Sequence, residues 1–463
     1  MSAVPPLPLN RLPCAPCTKT ELDLESVPPI QMGIIDDYTV STGPKAALGN
    51  DGPLEFVIEK SGDDYLDLSE CYLKVKLKLL KADNTPLSHF TDVGTKKGDA
   101  IIVENNRGPQ STVVPVNLGL HSLFRQVDLV MNDTLVSSSQ DTYPYRAYVS
   151  TMLSYGEDTK LTWLEGLEGW HCDEAYKFDD SGNKALDKKS TRWCLNSRSF
   201  EYKGRLHVDM VMQERLIPNG VTVKFVLTKS KPEFFVMSFE DGGKYKVKLE
   251  AATLEARRVK LVPEEQLRLE NVLSTTGAVY PITHVVTKSF TVSSGTSTVT
   301  LDSLFIGEIP NKIVLAFLRN DAFHGAYDKN PYRFQHFDIV SGCLYVDGQR
   351  VPTMGYEMDM TKGLYADAYQ ALHKHCGLYP YDNSNHVTRE QFEGGTFLLA
   401  FDLTADQAGD GVGYVTPKRR GTVKGSFKFA SALPDTTTVL AFAHFDSNVF
   451  IDRNRAVTSD YTV

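Results

Sequence analysis

The sequence predicts an all-β protein made of two tandem jelly-roll β-sandwiches with a few short helices. Three observations carry this expectation: a period-two hydrophobic pattern, a chain of double length, and a faint internal duplication. In Leu73-Lys74-Val75-Lys76-Leu77-Lys78-Leu79 the apolar side chains alternate with lysines. A half-buried strand keeps that alternation on one face, whereas a helix does not. Tyr245-Lys246-Val247-Lys248-Leu249-Glu250-Ala251 repeats the pattern. The 463 residues are about twice what one compact β domain usually holds, so two domains are expected.

The duplication is read from order and offset. Leu129–Val136 has the form of a hairpin with an Asn132-Asp133 turn, and Leu344–Val351 has the same form with Asp347-Gly348. Both pairs tolerate the positive φ of a type I′ turn. A helix carrying Ala147-Tyr148 follows the first hairpin, and one carrying Ala368-Tyr369 follows the second. Then a strand opens with Gly204 in one half and Gly395 in the other. Finally Leu216–Gly220 leads into Val223–Val226, as Leu433-Pro434-Asp435 leads into Val439–Phe442.

Taken in order, residues 1–30 form a proline-rich arm without periodicity. Residues 31–255 form the first jelly roll, with an inserted loop at about 156–196 that holds Trp163, Trp170 and Trp193. A linker with a short helix spans 256–277, opened by Pro263, a residue suited to a first helical turn. The second jelly roll covers 278–463. Further strands are expected at Leu54–Glu59, Val113–Asn117, Val127–Met131, Val221–Thr228, Val285–Val292, Lys312–Leu318, Thr396–Leu403, Ser426–Ala430 and Thr437–Phe445, and helices at Tyr145–Ser154, Glu264–Leu273 and Leu364–His375. About eight short strands per half with long excursions between some of them suit a Greek-key sandwich better than a meander; jelly roll is the natural candidate, and periodicity alone does not separate it from an immunoglobulin-like sandwich.

Composition narrows the function. A formal charge of −9 with 23% charged residues disfavours wholesale binding to nucleic acid. Seven scattered cysteines are no disulfide framework and suit a reducing compartment. No secretory signal is visible at Met1–Pro8. Apolar runs such as Ile313–Leu318 and Phe397–Phe401 are far shorter than a membrane span.

Reactive constellations are weak. His373-Lys374-His375 has a metal-binding cupin's spacing, but on a helix i and i+2 face apart. Cys14-Ala15-Pro16-Cys17 has half the ligands of a zinc site, and an exposed dithiol in the arm outweighs that reading. Asp402, Asp406 and Asp410 lack calcium-loop spacing. Pro417-Lys418-Arg419-Arg420 is a basic cluster with a nuclear-import or DNA-contact reading, and a solvated turn is the commoner use of such clusters. Asn132-Asp133-Thr134 is a glycosylation sequon inside an expected turn. No catalytic, cofactor or metal residue is assigned, and a non-enzyme is expected.

A resemblance enters in the second half. Gly307–Phe317, Asn330–Asp338, Tyr345-Val346-Asp347-Gly348 and Val351-Pro352 come in turn. They are followed by Gly394-Gly395 to Thr404, Phe427–Leu433 and Arg455-Ala456-Val457. This succession resembles the major capsid proteins of Polinton/Maverick elements and adintoviruses, with virophage capsid proteins as more distant relatives. His121–Met131 and Tyr143–Tyr155 carry a fainter likeness in the first half. The resemblance implies a hexon-like protein, a pseudo-hexagonal homotrimer that builds an icosahedral shell in the virion and is assembled in the host cytoplasm or nucleus. It implies as partners copies of the same chain, a single jelly-roll penton protein at the vertices and cement proteins, with packaged DNA touched only indirectly. Two other classes compete: a carbohydrate-binding or glycosidase-like β-sandwich, for which the tryptophan loop is the hint, and a cupin-type metalloenzyme.

Overall fold

In a computed structural model, residues 31–49, 52–60, 62–87, 95–97, 100–102, 113–180, 183, 194, 197–240, 242–379, 384–407, 409 and 416–461 are described. The arm with Cys14 and Cys17 lies outside them, as do Trp193 and Asp410.

The first half has eight principal strands: β1 (Ile34–Thr42), β2 (Leu54–Ile58), β3 (Tyr65–Lys81), β4 (Phe124–Met131), β5 (Thr134–Ser138), β6 (Phe200–Arg205), β7 (Val223–Lys229) and β8 (Tyr245–Leu261). The second repeats them as β9 (Ala278–Val292), β10 (Thr298–Glu308), β11 (Lys312–Arg319), β12 (Ile339–Val346), β13 (Gln349–Glu357), β14 (Leu398–Asp402), β15 (Arg420–Phe429) and β16 (Thr437–Ile451). Two sheets form the first sandwich, in orders β1-β8-β3-β6 and β2-β7-β4-β5. The second sandwich has β9-β16-β11-β14 and β10-β15-β12-β13. Adding eight to every strand number of one half yields the other. Each is the eight-stranded, double Greek-key arrangement of a jelly roll, which settles the choice that periodicity leaves open against an immunoglobulin-like sandwich.

Local chemistry explains the placement. Between Leu73 and Leu79 the apolar residues of β3 are buried and the lysines half-exposed, and the apolar ones stand beside Leu254, Ala252, Leu249 and Val247 of β8. The lysine face is matched by acids on neighbouring strands: Lys78 Nζ lies 3.0 Å from Glu250 and Lys74 Nζ 3.5 Å from Glu201. Such half-exposed pairs contribute about 0–1 kcal/mol each, so the buried face does most of the stabilising. Both hairpin turns adopt positive φ at both central residues: Asn132 at 43° and Asp133 at 65°, Asp347 at 48° and Gly348 at 85°.

Helices lie where the sequence places them: α1 (Tyr143–Ser154), α2 (Pro263–Thr275) and α3 (Ala366–Lys374). α1 and α3 occupy the same link, between the fifth and sixth strands of their halves. A fourth, α4 (Arg389–Gly394), opens with a reciprocal capping box between Thr388 and Gln391.

Three expectations need correction. β8 runs on to Leu261, past the boundary at 255, because its extra residues pair with the edge strand β1 from Ile34 onward. Gly204 lies near the end of β6 rather than opening it; its role is close approach, because a Cβ there would strike the Glu168 carboxylate and Leu120. The fourth correspondence joins unlike strands: Val223 starts the seventh strand of its half, whereas Val439 belongs to the eighth of the other.

Candidate functional site

No side chain of the sandwiches stands out until the seam between them is built. α1 runs along this seam with ten of its twelve residues buried. Its Tyr148 stacks on Tyr332 of the second half, ring centroids 4.1 Å apart and nearly parallel at 8°, with Trp170 on its other flank at 5.2 Å. Residues of both halves, among them Tyr145, Val149, Leu315 and Phe401, share one continuous core.

A polar knot crosses the same seam. Arg146 Nη2 on α1 donates to Asp209 Oδ1, and His284 Nδ1 on β9 stands 2.8 Å from Asp209 Oδ2. Burial pushes the Asp209 carboxyl up, but Arg146 and His284 outweigh it and hold the group below the ordinary carboxylate range. Nearby, the Tyr461 ring covers His284 at 4.0 Å, and its hydroxyl donates to the Val136 carbonyl at 2.8 Å. Arg455 ties the end of the second half to the first through Asn219 Oδ1 and, at 2.6 Å, Glu270 on α2. Outside the knot the seam opens into a cleft of about 880 Å³ bordered by Arg146, His207, Asp209, Arg215, His444 and Asp446.

The inserted segment acts as a wedge in this seam. Lys160 Nζ donates to the carbonyls of Met152 (2.7 Å) and Asn385 (2.6 Å), one from each half. Burial lowers its pKa to about 8, with the Cys172 thiol pulling the other way. Asp179 accepts from the Asn330 amide and from Arg333 Nη1, both at 2.6 Å. Trp170 is buried, while Trp163 is 43% exposed and set edge-on to Tyr155. A glycan platform needs neighbouring exposed rings, and the described tryptophans do not provide a pair. The π-helical stretch Lys160–Glu168 carries no signal in hydrophobic periodicity, and sequence reading leaves it as loop.

The motifs weighed from sequence fall into structural places. His373 packs edge-on to Tyr369, and His375 Nδ1 lies 3.8 Å from Asp402. Asp402 is buried and accepts from the Thr404 amide and hydroxyl and from the Gly409 amide, so it closes a turn. Lys418 sits between Glu308 and Asp460, and Arg419 donates to the Leu403 carbonyl. Two of the three cations in that cluster are thus engaged within the chain. Asn132 Nδ2 donates to the Arg455 carbonyl and Asn132 Oδ1 accepts from the Thr222 amide, each at 2.8 Å. Its amide holds the fold together, which favours the turn over the glycan. Cys71 is buried, and burial pushes its thiol up to about 12.

What remains is surface. Edge strands carry exposed apolar side chains: Ile35 and Tyr38 on β1, Ile306 on β10, Met354 on β13. Met354 is 81% and Ile306 68% exposed. Leu267 of α2 is likewise exposed. Edge groups of this kind mark places where another chain docks or adds to the sheet. Among the described residues no helix is long and apolar enough to cross a membrane.

No family model matches the chain. An uncharacterized protein of Caenorhabditis elegans, F54H12.2, is 21% identical over 430 residues, which are 90% of this chain and 95% of that protein. Among solved structures, a chain of the Sputnik virophage particle superposes with a TM-score of 0.63 at 11% identity, covering 100% of this chain and 94% of that one. The PBCV-1 virus capsid has a matching chain at TM-score 0.57 and 9% identity, with 95% and 100% covered. For the mavirus major capsid protein the TM-score is 0.53 at 12% identity, with 100% and 97% covered. The described residues of this chain therefore have the double jelly-roll fold found in viral major capsid proteins.

Proposed function

We propose that the chain is a major capsid protein, a structural unit without catalysis or cofactor that forms pseudo-hexagonal homotrimers and, from them, an icosahedral shell. The observation that carries this reading is the repetition of one strand order in two sandwiches. Two like-built sandwiches per chain supply six towers per trimer, the shape a sixfold lattice position requires. A closed threefold ring covers sheet edges without open-ended growth. The uncovered apolar residues on β1, β10 and β13 supply such edges. The wedge and the Asp209 knot serve the same purpose by making the two towers one rigid body.

The finer reading is a capsid protein of the Polinton/Maverick–adintovirus type, supported by the ordered motifs from Gly307 to Val457. In it, residues 31–261 and 278–463 are the two towers, and a single jelly-roll penton protein and cement proteins complete the virion. Light scattering on the purified full chain tests the core of the proposal. A particle of three chain masses, or closed shells built from it, is expected; a stable monomer at micromolar concentration would overturn it.

A further inference from the structure

Three potential metal ligands converge in the first half, beside the seam. His121 lies in the single helical turn Gly119–Ser122 ahead of β4, Glu168 ends the π-helical stretch of the inserted segment, and His207 follows β6. Their ligand atoms all lie within 4.8 Å of one another. We propose that His121, Glu168 and His207 bind a divalent transition-metal ion, with Zn²⁺ the best fit, which clasps the inserted segment onto the sandwich.

The spacing of His121 and Glu168 fits two ligands of one ion, and the same pair is within hydrogen-bonding reach when no ion is bound. His121 Nε2 and Glu168 Oε2 are 3.3 Å apart. A charge-assisted hydrogen bond prefers about 2.7–2.9 Å. Two ligands about 2.0–2.2 Å from one tetrahedral ion stand roughly 3.3–3.6 Å apart. Two imidazoles and one carboxylate form a donor set for a borderline divalent ion, and a water completes the tetrahedron. A route for that water and for the ion exists. Glu168 and His207 border a cavity of about 590 Å³ whose other walls include Tyr72, Tyr155, Trp163 and Leu167.

The surroundings also hold the ligands in place. Tyr143 Oη lies 2.8 Å from His121 Nδ1, which directs Nε2 at Glu168. The same phenol oxygen accepts from the backbone amide of His207 at 3.2 Å, so one buried tyrosine positions two ligand-bearing segments. Thr151 Oγ1 of α1 stands 3.3 Å from His207 Nε2. Outer contacts of this kind fix the ring orientation of metal-binding histidines. Glu168 reaches the cluster because residue 204 has no Cβ to block it. Gly169 turns the chain away at φ 77°, a backbone conformation suited to glycine. π-Helical turns cluster at functional sites, and this one delivers the carboxylate.

The clasp does not depend on the capsid reading. Its test is Co²⁺ titration of the metal-stripped full chain, carrying no histidine tag, followed by visible absorption and melting temperature. One Co²⁺ per chain with intense tetrahedral d–d bands, displaced by Zn²⁺, is expected, along with a melting temperature raised by several degrees and restored by chelator. Glu168→Gln and His207→Gln should each weaken binding at least tenfold, whereas His373→Ala should leave it unchanged. A wild-type chain that takes up no Co²⁺ at micromolar concentration overturns the proposal whether or not the variants fold. So does a folded Glu168→Gln/His207→Gln double variant that binds as the wild type does.

Discussion

The third strands of the two sandwiches occupy the same place in their sheets and are buried very differently. Between Leu73 and Leu79 of β3 every second side chain is buried, whereas in β11 all six residues from Ile313 to Leu318 are. Topology does not account for this, since the sheet orders match. The neighbours do. Phe317 of β11 packs inside its sandwich against Phe427 and Phe429 of β15, at 5.4 and 6.1 Å. Val314 pairs with Phe442 of β16, and Phe442 shares a wall with Val149 and Leu153 of α1. The second sandwich thus has one sheet covered on both faces, inside by its own partner sheet and outside by a helix lent by the first. An apolar run marks a doubly covered strand, and an alternating one marks a strand with a wet face.

The sharpest way to break this contrast is a charge at equivalent depth. Val314→Lys places an ammonium in the covered seam, where an unpaired charge costs several kcal/mol. A loss of about 4 kcal/mol or more, seen as a collapse of the urea midpoint or of soluble yield, is expected. Next in size is the polar knot. Asp209→Asn leaves Arg146 buried without its counter-charge, a change that typically costs about 3–5 kcal/mol. The same group sets an acid limb. A carboxyl whose folded pKa is depressed contributes stability above its unfolded value of about 3.9, and that contribution is lost as pH falls through the folded value. The wild-type urea midpoint should therefore drop steeply below pH 4, and the Asp209→Asn midpoint less steeply. Smallest of all, Lys76→Ala on the wet face of β3 should shift stability by no more than about 0.5 kcal/mol. A large effect there would show that this face, too, is covered within the folded chain.

Much of the architecture was legible because it is written locally. The alternation at Leu73–Leu79 and Tyr245–Ala251, the Asn132-Asp133 and Asp347-Gly348 turns, and Pro263 at a helix start each need only nearest neighbours to act. β1 was not legible. Its side chains are exposed or half-exposed throughout, so Ile34–Thr42 has no buried face to impose a period. α4 could have been found, since Thr388 and Gln391 are spaced as a capping box. The run Ile313–Leu318 was visible but mute, because its outer cover comes from α1, some 160 to 175 residues earlier in the sequence, whereas Phe397–Phe401 lies under the nearby α3. The cluster His121, Glu168 and His207 has no spacing to read, since the fold brings together three distant segments. The misplaced fourth correspondence shows the opposite hazard: a shared offset in sequence joined two strands that hold different positions in their sheets.

The pairing of the first with the last strand but one place apart in sheet order, β1 beside β8 and β9 beside β16, has a kinetic consequence. Neither barrel-like shell of strands can shut until its final member has left the ribosome, and such distant partnerships form slowly. The leading sandwich completes its ladder once residue 261 is synthesised, while the trailing one waits for 437–451. A nascent chain stalled in between would display the raw edges of its unfinished sheet, a surface prone to aggregation. Translation speed across the second half should accordingly govern how much of this protein reaches its folded state.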